Sequence, residues 1–185
     1  MTAPFIVLAL PRSRTFWASR FLSYGDTDCE HDPARHFASR ADAADYLNRD
    51  GCAAVDTSLG MIWAELASQL RPDLRVVVVH RNIADVAASL RRLGFQDAAV
   101  APLEAFAGKL WDIPGWHIPY RALDTFYGCL SLSRACRDDP VPFDWWVSMK
   151  DKHIECDRAG YMLDAWNNRL GVRAVFGPQE QVTVP

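Results

Sequence analysis

The stretch Phe5-Ile-Val-Leu-Ala-Leu-Pro-Arg-Ser-Arg-Thr-Phe-Trp17 decides the fold class of this chain. Phe5–Leu10 is a continuous apolar run, which is typical of a parallel β-strand that is buried on both faces. Thr15–Tyr24 follows with apolar residues at helical spacing, and we expect a helix there that ends at Gly25. A buried strand that leads directly into a helix indicates the strand-helix alternation of an α/β domain.

The same alternation continues along the chain to about residue 139. We expect strands at Cys52–Val55, Leu74–Val79 and Trp116–Tyr120, a short strand or loop at Asp26–His31, and helices at Ala41–Arg49, Leu59–Leu70, Ile83–Leu93, Leu123–Ala135 and Ala159–Leu170. Pro119 suits an edge strand better than a central one. The chain has no internal repeat or linker, so we interpret residues 1–185 as a single three-layer α/β/α domain with a mainly parallel sheet.

The composition is that of a folded globular protein, and it excludes several classes of partner. The 185 residues are 50% hydrophobic and 23% charged, with a formal net charge of −3. This charge argues against a broad electrostatic contact with nucleic acid or anionic lipid, although a local basic pocket is compatible with it. The run Phe5–Leu10 is too short to cross a membrane. We therefore expect neither a nucleic-acid partner nor a membrane partner.

The cysteines and the N-terminal residues indicate a reducing compartment. The chain has five cysteines, an odd number, without a C-x-x-C motif, and no signal peptide is recognisable at its start. We therefore expect a cytoplasmic protein with free thiols. Cys29, His31 and His36 match no established metal-ligand spacing, so no metal is expected.

The first strand-to-helix corner, Pro11–Trp17, predicts an anion site. A helix N-terminus presents unpaired N–H groups, and its dipole favours a negative charge there. Arg12 and Arg14 add positive charge, while Ser13 and Thr15 add hydroxyl donors. The corner therefore suits a phosphate or a sulfate, although a capped helix with surface arginines explains the same residues equally well.

A second corner follows the valine-rich strand Leu74–Val79. Arg81 closes that strand, Asn82 is a candidate helix N-cap, and Ser89 lies on the following helix away from its apolar stripe. In a parallel sheet the strand ends meet at one edge, where ligands bind in α/β folds. We therefore expect Arg81 and Ser89 to lie near the first corner.

Together the two corners resemble the sulfotransferases that use 3′-phosphoadenosine 5′-phosphosulfate. Pro11-Arg12-Ser13-Arg14-Thr15-Phe16-Trp17 resembles the family's first loop, approximately P-[KR]-S-G-T-T-W, with Arg14 in place of the glycine. Arg81, Asn82, Asp85, Val86 and Ser89 match the second element, approximately R-[DN]-P-x-D-V-x-x-S, in register. The resemblance covers about the first two thirds of the chain, and the family's C-terminal R-K-G-x-x-G pattern has no counterpart here.

The resemblance implies a P-loop-like fold, a co-substrate and a set of roles. The co-substrate would be 3′-phosphoadenosine 5′-phosphosulfate, and the acceptor would be the hydroxyl or amine of a small molecule or glycan. The 5′-phosphosulfate would be bound by Arg12, Ser13, Arg14, Thr15, Phe16 and Trp17, and the 3′-phosphate by Arg81 and Ser89. Arg12 would also stabilise the charge on the bridging oxygen. Glu30 or His31 would be the general base; we favour Glu30 slightly, and a surface acidic loop explains both residues as well.

Two alternatives to a sulfotransferase stay open. One is a nucleotide or nucleoside kinase of related fold, although the chain lacks the P-loop pattern G-x-x-x-x-G-K-[ST]: its Gly108-Lys109 pair is followed by Leu110. The other is a non-catalytic protein that keeps the fold as a binding or scaffolding module. Arg14 at the glycine position leaves room for this second alternative.

Overall fold

A single sheet organises the part of the chain that the structure, a computed structural model, describes: residues 3–95 and 100–152. Five strands of these residues pair in the order β2-β3-β1-β4-β5, and every pair is parallel. The strands are β1 (Phe5–Ala9), β2 (Glu30–His31), β3 (Ala53–Asp56), β4 (Arg75–His80) and β5 (Trp116–Pro119). The predicted α/β class and parallel sheet are confirmed, and Pro119 lies on an edge strand as expected.

Helices connect the strands and cover the sheet. The α-helices are α1 (Thr15–Leu22), α2 (Arg40–Leu47), α3 (Trp63–Leu66), α4 (Ile83–Arg92), α5 (Leu103–Trp111), α6 (Phe126–Cys136) and α7 (Phe143–Met149). Turns of 3₁₀-helix occupy Pro33–His36, Leu59–Ile62, Ala67–Gln69 and Tyr120–Asp124. Across the described residues, none of the helices combines the length and the apolar character needed to cross a membrane.

Two apolar cores, one on each face of the sheet, produce the three layers. Successive residues of β1 alternate between them: Ile6 and Leu8 pack in the first core, with apolar residues of α2, α3, α4 and α5. Phe5 and Val7 pack in the second core, with residues of α1, α6 and α7. All five residues of β1 are buried, because this strand lies at the centre of the sheet with helices on both sides.

The strand order creates a crevice between the ends of β1 and β4. The chain leaves β1 through α1 towards β2, on one side, and leaves β4 through α4 towards β5, on the other. These two helices belong to different cores and thus to opposite faces of the sheet. Ligands of open α/β sheets bind where adjacent strands lead away in opposite directions. The topology therefore directs attention to the loop after β1 and to the residues after β4.

Some predicted helices differ from the observed ones. The helix expected at Leu59–Leu70 is divided into two 3₁₀ turns around the short α3, because the Asp56 carboxylate accepts the N–H groups of Ser58 and Leu59 and tightens the first turn. The helix expected at Leu123–Ala135 begins later, since extended Thr125 caps α6 by accepting from the Gly128 N–H. Helices α5 and α7 were not predicted, and the helix predicted at Ala159–Leu170 lies outside the described residues.

Candidate functional site

The two sequence corners meet at the carboxyl edge of the sheet. The Nε of Arg12 donates to the Ser89 hydroxyl oxygen at 3.1 Å, although the two residues are 77 positions apart. The Arg81 guanidinium donates to the backbone carbonyl oxygen of Arg12. The Arg81 guanidinium carbon also lies 4.4 Å from the centre of the Tyr120 ring, at the end of β5. Arg12, Arg81 and Ser89 therefore form one cluster, as the sequence predicts.

The loop between β1 and α1 has an unusual backbone. Arg12 and Arg14 adopt left-handed conformations, with φ of 63° and 58°. Such angles are uncommon outside glycine and are concentrated at functional sites. Left-handed Arg14 next to right-handed Thr15 has the alternation that turns successive N–H groups into a concave anion cradle. Arg14 gives α1 no side-chain cap, so the start of this eight-residue helix offers its N–H groups to a ligand.

Two buried polar atoms, one on Arg81 and one on Ser13 next to Arg12, lack a hydrogen-bond partner. Among the described residues, four buried side-chain nitrogen or oxygen atoms make no hydrogen bond, and two of them are Ser13 Oγ and Arg81 Nε. More than nine in ten buried polar groups in proteins are paired, so such atoms call for an explanation. A hydroxyl group and a guanidinium N–H can each donate a hydrogen bond to a phosphate or sulfate oxygen.

The side chain of Arg14 turns towards the segment that follows β5. Its guanidinium lies 2.7 Å from the Asp124 carboxylate and 3.3 Å from the Leu123 carbonyl oxygen, and its Cζ lies 5.2 Å from the centre of the Trp17 ring. The loop is thus tied to the 3₁₀ turn Tyr120–Asp124 through a partly solvent-exposed ion pair. Asp124 balances much of the charge of Arg14, which therefore points away from Arg12 and Arg81.

The aromatic residues of the first corner have different environments. Trp17 is 2% exposed, stacks on Phe21 at 5.0 Å and donates its indole N–H to the Met149 carbonyl oxygen at 2.9 Å. Its ring therefore belongs to the core beneath the loop. Phe16 is partly exposed, and its ring meets the His31 ring edge-on at 5.0 Å.

The two candidate bases on β2 point in different directions. Glu30 faces α2, where its carboxylate accepts from the Tyr46 hydroxyl at 3.0 Å. His31 faces the loop instead, with its Nε2 3.0 Å from the Thr15 hydroxyl oxygen. Burial lowers the pKa of His31 from 6.5 to about 4, so the imidazole is neutral at pH 7. The side-chain directions therefore favour His31 over Glu30 as the candidate base at the loop between β1 and α1.

Two buried carboxylates that the sequence analysis did not predict as site residues brace this edge. Asp56 accepts from the N–H groups of Leu59 and Ala34 at 2.7 and 3.1 Å, and Asp32 accepts from the Thr57 N–H at 2.9 Å. Burial raises the pKa of each carboxyl to about 6. Asp56 closes a strand, a signal that was available, whereas Asp32 looks like a surface loop residue. Across residues 3–95 and 100–152, no three His, Cys, Asp or Glu side chains are grouped to hold a metal ion.

A cavity of about 540 Å³ opens beside His31. It runs between α1 and β2, and both Glu30 and His31 line it, together with Phe16. Three arginines and three acidic residues surround it: Arg20, Arg35, Arg49, Asp28, Glu30 and Asp50. The volume lies in the range of small-molecule sites, and the balanced charges suit a neutral polar molecule.

Comparison of the chain with protein-family models, with curated proteins and with solved structures gave no match. The function is therefore inferred from the chemistry of the crevice, in which a helix N-terminus, two arginines and the Ser89 hydroxyl group converge at the ends of β1 and β4.

Proposed function

We propose that this protein is a sulfotransferase with a P-loop-like fold, which transfers the sulfuryl group of 3′-phosphoadenosine 5′-phosphosulfate to a hydroxyl or amine acceptor. The observation that carries the proposal is the contact between Arg12 and Ser89, with Arg81 against the Arg12 carbonyl. The two motifs that resemble this family are far apart in sequence and form a single cluster at the switch point of the sheet. This meeting supplies the common site that the resemblance requires of the two motifs.

The cluster has the chemistry that the donor nucleotide needs. The start of α1 and the Arg12 side chain would bind the 5′-phosphosulfate, and Arg81 with Ser89 would bind the 3′-phosphate. Sulfuryl transfer depends on positioning and on stabilising the charge that develops on the bridging oxygen. Arg12 supplies that charge from a loop whose left-handed backbone is held by tertiary contacts.

An acceptor would enter through the cavity beside β2. Its hydroxyl or amine needs a base, and His31 lies between that cavity and the loop, in contact with Thr15. The imidazole of His31 is unprotonated at neutral pH, and its pKa of about 4 makes it a weak base unless the bound acceptor raises that pKa. We expect the acceptor to be a small molecule or a glycan terminus, because the cavity of about 540 Å³ has the size of a small-molecule site.

The test is a thermal-unfolding titration with adenosine 3′,5′-bisphosphate. A ligand at 100 times its Kd stabilises the folded state by about 2.7 kcal/mol, which shifts the midpoint clearly. We expect Arg81→Ala and Ser89→Ala to lose most of the shift. Arg134→Ala and Ser131→Ala are matched controls, because both side chains are exposed on α6 and take no part in the cluster.

Parallel titrations separate the alternatives. A nucleotide kinase would respond to ATP with Mg²⁺ and not to the bisphosphate, while a non-catalytic module would respond to neither. AMP tests whether the 3′-phosphate is needed. Absence of a shift with millimolar adenosine 3′,5′-bisphosphate, or an equal shift in Arg81→Ala, would overturn the proposal.

A further inference from the structure

The rings of His80, His117 and Trp111 lie nearly parallel to one another on the β4 side of the crevice. His80, the last residue of β4, stacks on Trp111 at the end of α5, with ring centres 3.6 Å apart and planes 12° apart. His117 on β5 continues the plane of His80, because its Nδ1 lies 2.7 Å from His80 Nε2 and the two rings are 13° apart. Trp111 is 63% exposed, which is unusual for so large an apolar side chain. None of these three residues has a role in the proposed sulfuryl transfer.

The hydrogen bonds of the two histidines determine which ring atoms carry protons. The Ile113 carbonyl oxygen, 2.9 Å from His117 Nε2, can only accept, so that nitrogen carries a proton. In the neutral ring, His117 Nδ1 is then an acceptor, and His80 Nε2 must donate to it. His80 Nδ1 is therefore left with a lone pair. Burial, and to a smaller extent the neighbouring His117, lower the pKa of His80 to about 4, so its ring is neutral at pH 7.

A cavity of about 330 Å³ lies beside this stack. Its apolar wall consists of Leu10, Ile83, Ala107 and Leu110, and its remaining lining includes His80, Arg81 and Trp111. Mostly apolar walls, an aromatic side chain and a few directed polar groups are the features of small-molecule sites, and the volume is at the lower end of their range. Such a cavity suits a molecule of one or two fused rings.

We propose that this cavity, the His80–Trp111 site, binds a planar aromatic group that carries an N–H or O–H donor. The ring packs against the indole of Trp111 and the apolar wall, and the donor bonds to His80 Nδ1. The relay from the Ile113 carbonyl through His117 holds His80 in the tautomer that accepts this bond. Arg81 lines both this cavity and the proposed nucleotide site, but the proposal does not rest on sulfuryl transfer and would hold in a protein that does not bind the nucleotide.

The experiment is an NMR titration of the full chain with indole, followed at the histidine ring nitrogens and the tryptophan indole N–H groups. We expect indole to shift the His80 Nδ1 and Trp111 signals. 1-Methylindole has the same ring system without the donor, and we expect it to bind about tenfold more weakly. Unshifted His80 and Trp111 signals, or equal binding of the two probes, would overturn the proposal.

Two variants and one competition complete the test. Trp111→Leu should abolish indole binding, whereas Trp116→Leu should leave it unchanged, because Trp116 is equally exposed, at 67%, and does not line the cavity. Binding that survives Trp111→Leu contradicts the site. The histidine tautomers measured in the unaltered protein test it without any substitution: a proton on His80 Nδ1 at pH 7 contradicts it.

Adenine, used as a second probe, distinguishes two ligands that could supply the planar aromatic group: the base of the nucleotide and a separate molecule. If adenosine 3′,5′-bisphosphate displaces adenine from His80 and Trp111, the site holds the base of the nucleotide. If adenine stays bound, the site serves a separate aromatic ligand. Both results require binding at His80 and Trp111, so they support the site, and failure of the bisphosphate alone to bind would affect only the proposed sulfotransferase.

Discussion

His31 Nε2 lies 3.0 Å from the hydroxyl oxygen of Thr15, and this contact joins β2 to the first residue of α1. The same nitrogen lies 3.4 Å from the Asp32 carboxylate, and 8% of the His31 side chain is exposed. Burial lowers the pKa of His31 to about 4, so the ring must lose its proton when the chain folds at mildly acidic pH. The contact that places a base at the loop therefore makes the stability of the fold depend on pH.

His31→Gln should reduce the acid sensitivity of the fold. A histidine with a lowered pKa contributes stability that is present above its unfolded pKa of 6.5 and is lost as the pH falls towards 4. Between pH 7 and pH 5 this loss amounts to about 2 kcal/mol. The difference in unfolding free energy between the unaltered protein and His31→Gln should change by this amount, as measured by urea titration at both pH values.

The effect of His31 must be measured as a difference from a variant, because other titrating groups change the free energy of unfolding with pH in the opposite direction. Asp32 and Asp56 have raised pKa values of about 6, so their stabilisation is present below pH 4 and is lost as the pH rises through 6. His36→Gln, at an exposed side chain of the same segment, is the control and should change the difference by less than about 0.5 kcal/mol. Equal pH profiles for the two variants would contradict a buried neutral His31.

Asp56→Asn should destabilise the protein although it removes a buried charge. Both carboxylate oxygens accept: Oδ1 accepts from Ser58 and Leu59, and Oδ2 accepts from the Ala34 N–H. An amide has one acceptor oxygen, so its NH₂ group would face a donor and leave it unpaired. We expect a loss of about 2 kcal/mol in the free energy of unfolding at pH 7, by urea titration. Asp45→Asn, on the exposed side of α2, should have little effect, and a neutral result at Asp56 would refute the bracing role.

Arg14→Gly should be more stable than Arg14→Ala by about 1 kcal/mol. Residue 14 has a φ of 58°, which glycine adopts without strain and alanine does not. Both variants lose the contacts with Asp124 and Trp17, so their difference isolates the backbone. Thermal unfolding of the two variants measures it. If residue 14 were helical, alanine would instead be the more stable by a similar amount.

The central strands could be predicted from the sequence because a strand that is buried on both faces consists almost entirely of apolar residues. The apolar runs of β1 and β4 contain no alternation, which is the pattern of central parallel strands. The meeting of Arg12 with Ser89 could also be predicted, since parallel strands end at one edge. Helix α5 was missed although Leu103, Phe106 and Leu110 have helical spacing, a signal that was available.

The side-chain directions at the site could not be predicted from the sequence. Adjacent residues of a strand face opposite ways, but which of Glu30 and His31 faces the loop depends on Tyr46, which lies sixteen residues from Glu30 on α2. Similarly, Arg14 could either fill the crevice or add charge to it, and the outcome depends on Asp124, which lies 110 residues away. Both side-chain directions are determined by tertiary contacts, which the neighbouring residues in the sequence do not indicate.

Gly128→Ala should disrupt the segment that anchors Arg14. A Cβ on Gly128 would collide with the Ala122 carbonyl oxygen, so α6 would have to move away from the 3₁₀ turn Tyr120–Asp124. We expect a loss of about 3 kcal/mol or more in the free energy of unfolding, because backbone atoms on both sides of the contact must shift. Gly108→Ala is the matched control: nothing lies within 4 Å of its Cβ on the exposed side of α5, and alanine should stabilise that helix by about 1 kcal/mol. Urea titration of both variants measures effects of opposite sign, and a Gly128→Ala variant as stable as the unaltered protein would contradict the close packing of α6 against the turn that holds Asp124.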